Sequence, residues 1–328
     1  MGVSRRNWLT GIGLTLAAGQ TGHGTAASRL ADSDTLAERA ARAESPLWKS
    51  WKYSLNTSTI RGQKLPLEQQ VEIAAQAGYG GIEPWIGDIE DYVKRGKSLA
   101  DMQKRCADLN LAVVSAIGFA PWIANDDAVR AKGLEQAKRD MDLVRQMGGT
   151  RIAAPPAGET ENANLDLFAA AQRYHALCDV GQQIGVTPQV EVWGFSKALS
   201  RLGETVFVAV ESGHPRACIL PDVYHIYKGG SDFAGLKLLS GSAVQVMHIN
   251  DYPGQPPRAE INDSHRVYPG DGVAPLGQIF QDLQTAGFAG WLSLELFNPE
   301  YWKQDALEVA KTGLAKSQAA VAAAFATG

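Results

Sequence analysis

Four side chains in the second half of the chain have the types and spacing to build one metal centre: Glu191, Asp222, His248 and Glu295. Each closes a short β-rich run. The runs are Gln189-Val190-Glu191-Val192-Trp193, Ile219-Leu220-Pro221-Asp222, Val246-Met247-His248-Ile249-Asn250-Asp251 and Ser293-Leu294-Glu295-Leu296-Phe297. Period-two alternation puts Gln189, Glu191 and Trp193 on one strand face. The four donors stand 31, 26 and 47 residues apart. The first two intervals match one strand–helix–strand step, and the third matches one step plus an inserted loop. Consecutive parallel strands can therefore aim all four at one point. Three carboxylates and one imidazole make a hard, mostly oxygen site suited to one divalent ion: Mn²⁺, Mg²⁺, Co²⁺ or Zn²⁺. A carboxylate inside an apolar strand is costly to bury unless it is paired or coordinated. Taken singly, each also reads as a structural carboxylate bonded to Arg, Lys or a backbone N–H. Their shared register on four strands is what favours a metal.

The elements that must position them extend over the whole chain after residue 50. Candidate strands are Trp51–Asn56, Gly81–Trp85, Ala112–Ile117, Thr150–Ala154, Pro188–Val192, Ala217–Asp222, Val244–Ile249 and Trp291–Leu296. Amphipathic stretches such as Leu67–Ala77 and Leu99–Leu109 lie between them. Proline or serine stands at helix starts (Pro66, Ser98), and glycine-containing stops such as Ala77-Gly78-Tyr79-Gly80 precede strands. Strands alternating with helices imply βαβ units and a parallel sheet. Eight such units predict an α/β fold, a closed (β/α)8 TIM barrel, with its chemistry at the C-terminal ends of the strands. No GxGxxG motif opens the first helix, which disfavours a dinucleotide-binding sheet.

Composition narrows the class. The chain has 328 residues, 45% of them hydrophobic, and a formal charge of −4, which excludes a disordered chain. The acidic balance and the lack of a Lys/Arg run argue against a nucleic-acid partner. Cys106, Cys178 and Cys218 are too few and too scattered for a disulfide framework and read as core residues. The stretch Ser4-Arg5-Arg6-Asn7-Trp8-Leu9-Thr10, the apolar run Gly11–Ala18 and the small residues Thr25–Ala27 resemble a twin-arginine export signal. Expected boundaries are a signal peptide over 1–27, a polar linker over 28–47 and one barrel domain over 48–328, with a periplasmic or exported location. The plain alternative for the leader is a disordered basic tail. Its apolar run is too short for a stable membrane anchor. Homo-oligomeric assembly is left open.

The ordered motifs Val190-Glu191-Val192-Trp193, Pro221-Asp222-Val223-Tyr224-His225, His248-Ile249-Asn250-Asp251, Tyr268-Pro269-Gly270-Asp271-Gly272 and Ser293-Leu294-Glu295-Leu296-Phe297 resemble the xylose isomerase-like sugar isomerase/epimerase family. The resemblance covers roughly residues 50–315. The stretch Trp291–Trp302 looks most like the inosose (2-keto-myo-inositol) isomerase branch. The resemblance implies one divalent metal on Glu191, Asp222, His248 and Glu295, and a metal-stabilised cis-enediolate. Glu191 and Glu295 would be the proton-transfer pair, acting on a small keto-sugar or cyclitol. It also implies substrate contacts from His225, which stands three residues after Asp222, and from Arg266 ahead of the glycine turn.

Each secondary candidate has a plainer reading. His225 also reads as a solvated loop histidine, and Arg266 as a surface ion pair with Asp263 or Asp271, with Arg258 its weaker substitute. Glu83 reads as a ligand to a substrate hydroxyl or as a partner of Lys52. Trp85, Trp122, Trp193 and Phe297 can wall a sugar ring, since aromatic faces suit C–H-rich surfaces. Packing serves Trp122 equally well. The Pro269–Gly272 turn could approach a phosphate or be a turn alone. Competing functions are a dehydratase using the same metal, a non-catalytic carbohydrate-binding barrel and a trinuclear-zinc endonuclease. The last is disfavoured because strand two ends in Glu83 and strand three supplies no histidine.

Overall fold

Eight short parallel strands follow one another around a barrel, in the order the alternation predicts. They are β1 Lys52–Asn56, β2 Gly81–Glu83, β3 Ala112–Val113, β4 Arg151–Ala154, β5 Thr187–Glu191, β6 Ile219–Leu220, β7 Val246–Ile249 and β8 Trp291–Leu294. The computed structural model describes residues 46–326; the expected leader and nearly all of the expected linker lie outside the described residues. One arc pairs β3-β2-β1-β8-β7 and a second pairs β4-β5-β6. A few backbone hydrogen bonds join the arcs, among them Ile219 N–H to the Ala243 carbonyl at 2.9 Å. Ala153 N–H donates to the Ala116 carbonyl at 2.9 Å, and His248 N–H to the Pro221 carbonyl at 3.0 Å. The closed (β/α)8 TIM barrel expected from the strand count is the observed fold.

Helices α1 Leu67–Ala77, α2 Ile86–Lys94, α3 Leu99–Asp108, α4 Asp127–Gln146, α5 Leu167–Ile184, α6 Leu202–Glu211, α7 Val223–Gly229, α8 Leu276–Thr285 and α9 Ala306–Phe325 run between and after the strands. Their starts are chemically marked. Ser98, Asp126, Asp166, Asp222 and Asp305 each accept a hydrogen bond from a first-turn amide, satisfying donors that have no partner within the helix. Among the described residues no helix is long and apolar enough to cross a membrane.

The strands are shorter than their apolar runs because the chain turns outward as soon as it reaches the barrel top. Asp222 was expected as the end of strand six. It stands beyond β6, as the N-cap of α7, and meets His248 through an isolated bridge. The barrel axis carries a small apolar layer of Ile117, Ala153, Leu220 and Val246. Above it lies a buried polar layer including Asn56, Glu83, Glu191, His248, Ser293 and Glu295. That layer is the floor of the site.

Candidate metal centre and active site

His248, on β7, is wholly buried and lies at the middle of the cluster. Its Nδ1 lies 3.2 Å from Glu295 Oε2, 3.7 Å from Glu191 Oε1 and 3.7 Å from Asp222 Oδ2. One donor atom from each of Glu191, His248 and Glu295 lies within 4.8 Å of the others. The four residues singled out by spacing are thus brought together. The other ring nitrogen, Nε2, is 2.9 Å from Glu83 Oε2. Glu83 is held ionised, because His248, Ser293 and Asn56 outweigh the burial that pushes its carboxyl up, so Nε2–H donates to it. This fixes the ring and turns Nδ1 to the three carboxylates. Nδ1 has no hydrogen-bond partner among the described residues, although it is buried. A buried polar atom without a partner, facing three carboxylate oxygens, fits a divalent cation.

Arg266 crosses the same centre. Its Nη1 donates to Asp222 Oδ2 at 2.9 Å and to Glu295 Oε2 at 2.8 Å. Its Nη2 donates to Asp263 at 2.5 Å and to His225 Nε2 at 3.0 Å. The expected ion pair with Asp263 is formed, but the arginine is 1% exposed, so the pair is not a surface one; Asp271 pairs instead with Lys316. His225 is buried on the first turn of α7, not solvated. Burial and the Arg266 charge push its pKa down to about 4, so it stays neutral and accepts from Arg266. Arg258 does not line the cavity over this centre; its carbonyl accepts from Lys228 Nζ at 3.0 Å.

The two glutamates are held very differently. Glu295 Oε1 accepts from Asn56 Nδ2 at 3.0 Å, and Oε2 accepts from Arg266. Burial raises its pKa, but His248 and Arg266 outweigh that and keep it ionised. Glu191 receives no side-chain hydrogen bond from the described residues, and burial, reinforced by Glu295 and Asp222 against the pull of His248, pushes its pKa well above the usual carboxylate range. A pair of carboxyls whose environments drive their pKa values apart is the arrangement that separates an acid from a base.

A cavity of about 190 Å³ opens over this centre. Glu191, Glu295, His225, Asp263 and Arg266 line it. Trp85, Ile117, Phe119, Trp193, Phe195 and Phe297 add an apolar wall that meets His225 at Phe195 and Arg266 at Phe297. Trp193 therefore stands where it was expected. Trp122 does not reach the cavity. It is buried elsewhere, donating its indole N–H to the Pro155 carbonyl at 2.8 Å. Glu83 departs from both of its expected roles. It is fully buried beneath the cavity rather than lining it, and it bonds His248, Ser293 and Asn56 rather than Lys52. Lys52 lies over the Trp291 ring instead. The glycine turn holds no room for a phosphate, because the Asp251 carboxylate already accepts from the amides of Gly270, Gly272 and Ala274 at 2.9–3.1 Å. A Cβ on Gly272 would stand 2.3 Å from Asp251 Oδ1, so only glycine admits this contact.

Residues that the spacing argument passed over also shape the centre. Asn56, at the end of β1, bridges Glu83 and Glu295 and stands 3.4 Å from the Trp85 indole nitrogen. Asn250 donates to Asp222 Oδ2 at 3.0 Å. Both obey the rule that carried the four donors, a polar residue at a barrel strand's C-terminal end.

Residues 71–316 match the xylose isomerase-like TIM barrel family. The chain belongs to that family. It is 26% identical over 264 residues to an inosose isomerase of Bacillus velezensis, covering 79% of this chain and 93% of that one. It is 24% identical over 275 residues to a fructoselysine 3-epimerase of Escherichia coli O157:H7, covering 76% and 94%. Among solved structures, the IOLI protein with a bound zinc atom superposes with a TM-score of 0.77 at 21% identity, over 84% of this chain and 99% of that one.

Proposed function

We propose that the chain is a divalent-metal-dependent isomerase or epimerase that moves a proton beside the carbonyl of an unphosphorylated keto-sugar or inosose. The observation that carries this is the Glu191–Glu295 pair, which faces one cavity from β5 and β8 with opposite protonation preferences. The inosose isomerase and the 3-epimerase among the relatives support the isomerase or epimerase class.

In this reading Glu191, Asp222, His248 and Glu295 hold the ion. When bound, a divalent ion supplies Lewis-acid polarisation of a carbonyl and its neighbouring hydroxyl. Glu295, ionised, accepts the proton from the carbon beside the carbonyl. Glu191, protonated, returns one from the facing strand. Arg266 and neutral His225 orient substrate oxygens, and the aromatic wall keeps water from the carbon acid. Arg266 is the one cation lining the cavity among the described residues; its Nη donors are engaged by Asp222, Asp263, Glu295 and His225, which leaves its charge compensated and its Nε–H without a partner. A phosphate dianion would meet carboxylates without a compensating cation, so neutral substrates are favoured.

The test is incubation of the metal-loaded chain with keto-sugars and inososes in D₂O. The expected result is deuterium on the carbon beside the carbonyl with no change in elemental composition. Loss of water would instead make the protein a dehydratase. Metal binding with no exchange across the panel would make it a carbohydrate-binding barrel.

A further inference from the structure

The aromatic wall of the cavity extends beyond what a single sugar ring would cover. Phe297 and Trp85 have ring centroids 6.1 Å apart, and Trp85 and Phe119 5.1 Å. The arc continues from Phe119 to Trp193 at 5.9 Å and from Trp193 to Phe195 at 5.0 Å. Its last two phenyl rings stand at the mouth, Phe119 39% and Phe195 49% exposed. They come from different loops, after β3 and after β5, yet both lie against Trp193.

The segment that carries Phe195 is held in place. Lys197 N–H donates to the Thr160 carbonyl at 2.7 Å, and Trp193 N–H to the Leu199 carbonyl at 3.0 Å. A Cβ at Gly194 would stand 2.2 Å from the His225 carbonyl oxygen, so this loop packs directly on α7. The segment carrying Phe195 is therefore pre-positioned, which lowers the cost of ordering it when a ligand arrives.

The polar groups lining the cavity are Glu191, Glu295, Asp263, Arg266 and His225, the last with its ring 5.7 Å from that of Phe195. Sugar hydroxyls meet these groups, whereas the exposed phenyl faces of Phe119 and Phe195 offer a hydroxyl no donor or acceptor in place of water. A flat apolar group at that position loses nothing and gains two aromatic faces.

We infer that Phe119 and Phe195 form an outer subsite for a planar hydrocarbon or aromatic aglycone, which makes the substrate a keto-glycoside instead of a free keto-sugar. This rests on the inner cavity being a sugar site, as proposed above. The sugar ring sits over the four-residue centre against Trp85 and Trp193, and the aglycone projects to the mouth.

The test uses the full chain loaded with Mn²⁺ and two probes, phenyl and methyl β-D-glucopyranoside, with affinities read from tryptophan fluorescence and calorimetry. The phenyl glucoside is expected to bind about tenfold more tightly, the scale of one or two well-placed aromatic contacts. Phe119→Ala and Phe195→Ala should each shrink that ratio, and the double variant should bring it close to one. Equal affinities in the parent chain, no binding of the phenyl probe, or a ratio untouched by both variants would overturn the subsite. The two readings fail separately. A subsite failure leaves deuterium exchange on a free keto-sugar intact, whereas a phenyl preference without any exchange would keep the subsite and remove the isomerase.

Discussion

Glu83 and His248 share a hydrogen bond of 2.9 Å between two fully buried side chains, and it is this contact that turns Nδ1 of the imidazole toward Glu191, Asp222 and Glu295. The carboxylate lies under the centre and makes no contact with the cavity above, so its influence passes through the ring it orients. Removing it frees the imidazole to rotate and to change tautomer. Glu83→Ala should weaken metal binding by about 10–100-fold, the usual effect of losing a ligand's orienting partner. Competition against a chelator measures this directly, and an unchanged affinity would show that packing alone fixes the ring.

Metal binding should release protons. Burial works against protonation of His248, but Glu295 and Glu83 outweigh it and raise its pKa well above the ordinary value. Glu191 is raised as well, chiefly by burial. His248 therefore carries a proton near neutrality in the metal-free protein, and the ion, which needs the Nδ1 lone pair, must displace it. Affinity should accordingly rise with pH, by about tenfold per unit for each proton displaced, until the pH passes the raised values. Calorimetry in buffers of different ionisation enthalpy should count at least one proton released per ion. No dependence on buffer would contradict this protonation state.

Arg266 should matter more to the metal-free protein than to the loaded one. It pairs with Asp222, Glu295 and Asp263, and the first two partners are buried with it. Breaking a buried ion pair from one side typically costs roughly 3–5 kcal/mol, because the partner charges remain buried. Arg266→Met should lower the thermal midpoint of the metal-free chain markedly, and an added divalent ion should restore part of the loss. An equal loss with and without metal would place the effect in packing alone.

The chemistry of this barrel was legible from its strands to a large extent, and for a simple reason. Glu191, His248 and Glu295 are charged or ionisable in runs that are otherwise apolar, so burial cost marks them. Helix starts were legible where Pro66 and Ser98 announced them. What could not be read depended on contacts between distant segments. Glu83 lies 165 residues from the histidine it orients, and no local pattern separates a carboxylate under a metal from one beside a substrate. Asp251 filling the glycine turn is the same kind of fact: the turn residues are evident, and their occupant is not. Phe119 and Phe195 stand in loops, where periodicity carries no signal.

Export remains a proposal resting on Arg5 and Arg6, which lie outside the described residues. Replacing both by lysine should block translocation and leave full-length chain in the cytoplasm, as fractionation with mass spectrometry would show. Translocation undiminished by the double change would remove the twin-arginine reading.

The claim that Glu191 and Glu295 exchange protons with the substrate is tested most directly by deuterium incorporation from D₂O in Glu191→Gln and Glu295→Gln, each compared with the parent chain at equal metal content. Both changes keep size and an amide oxygen while removing the titrating group. The account predicts that each lowers the exchange rate by about 10²–10⁴-fold, the usual worth of a general acid or base. Exchange at the parent rate in either variant, at full metal loading, would contradict it and leave that residue a ligand and nothing more.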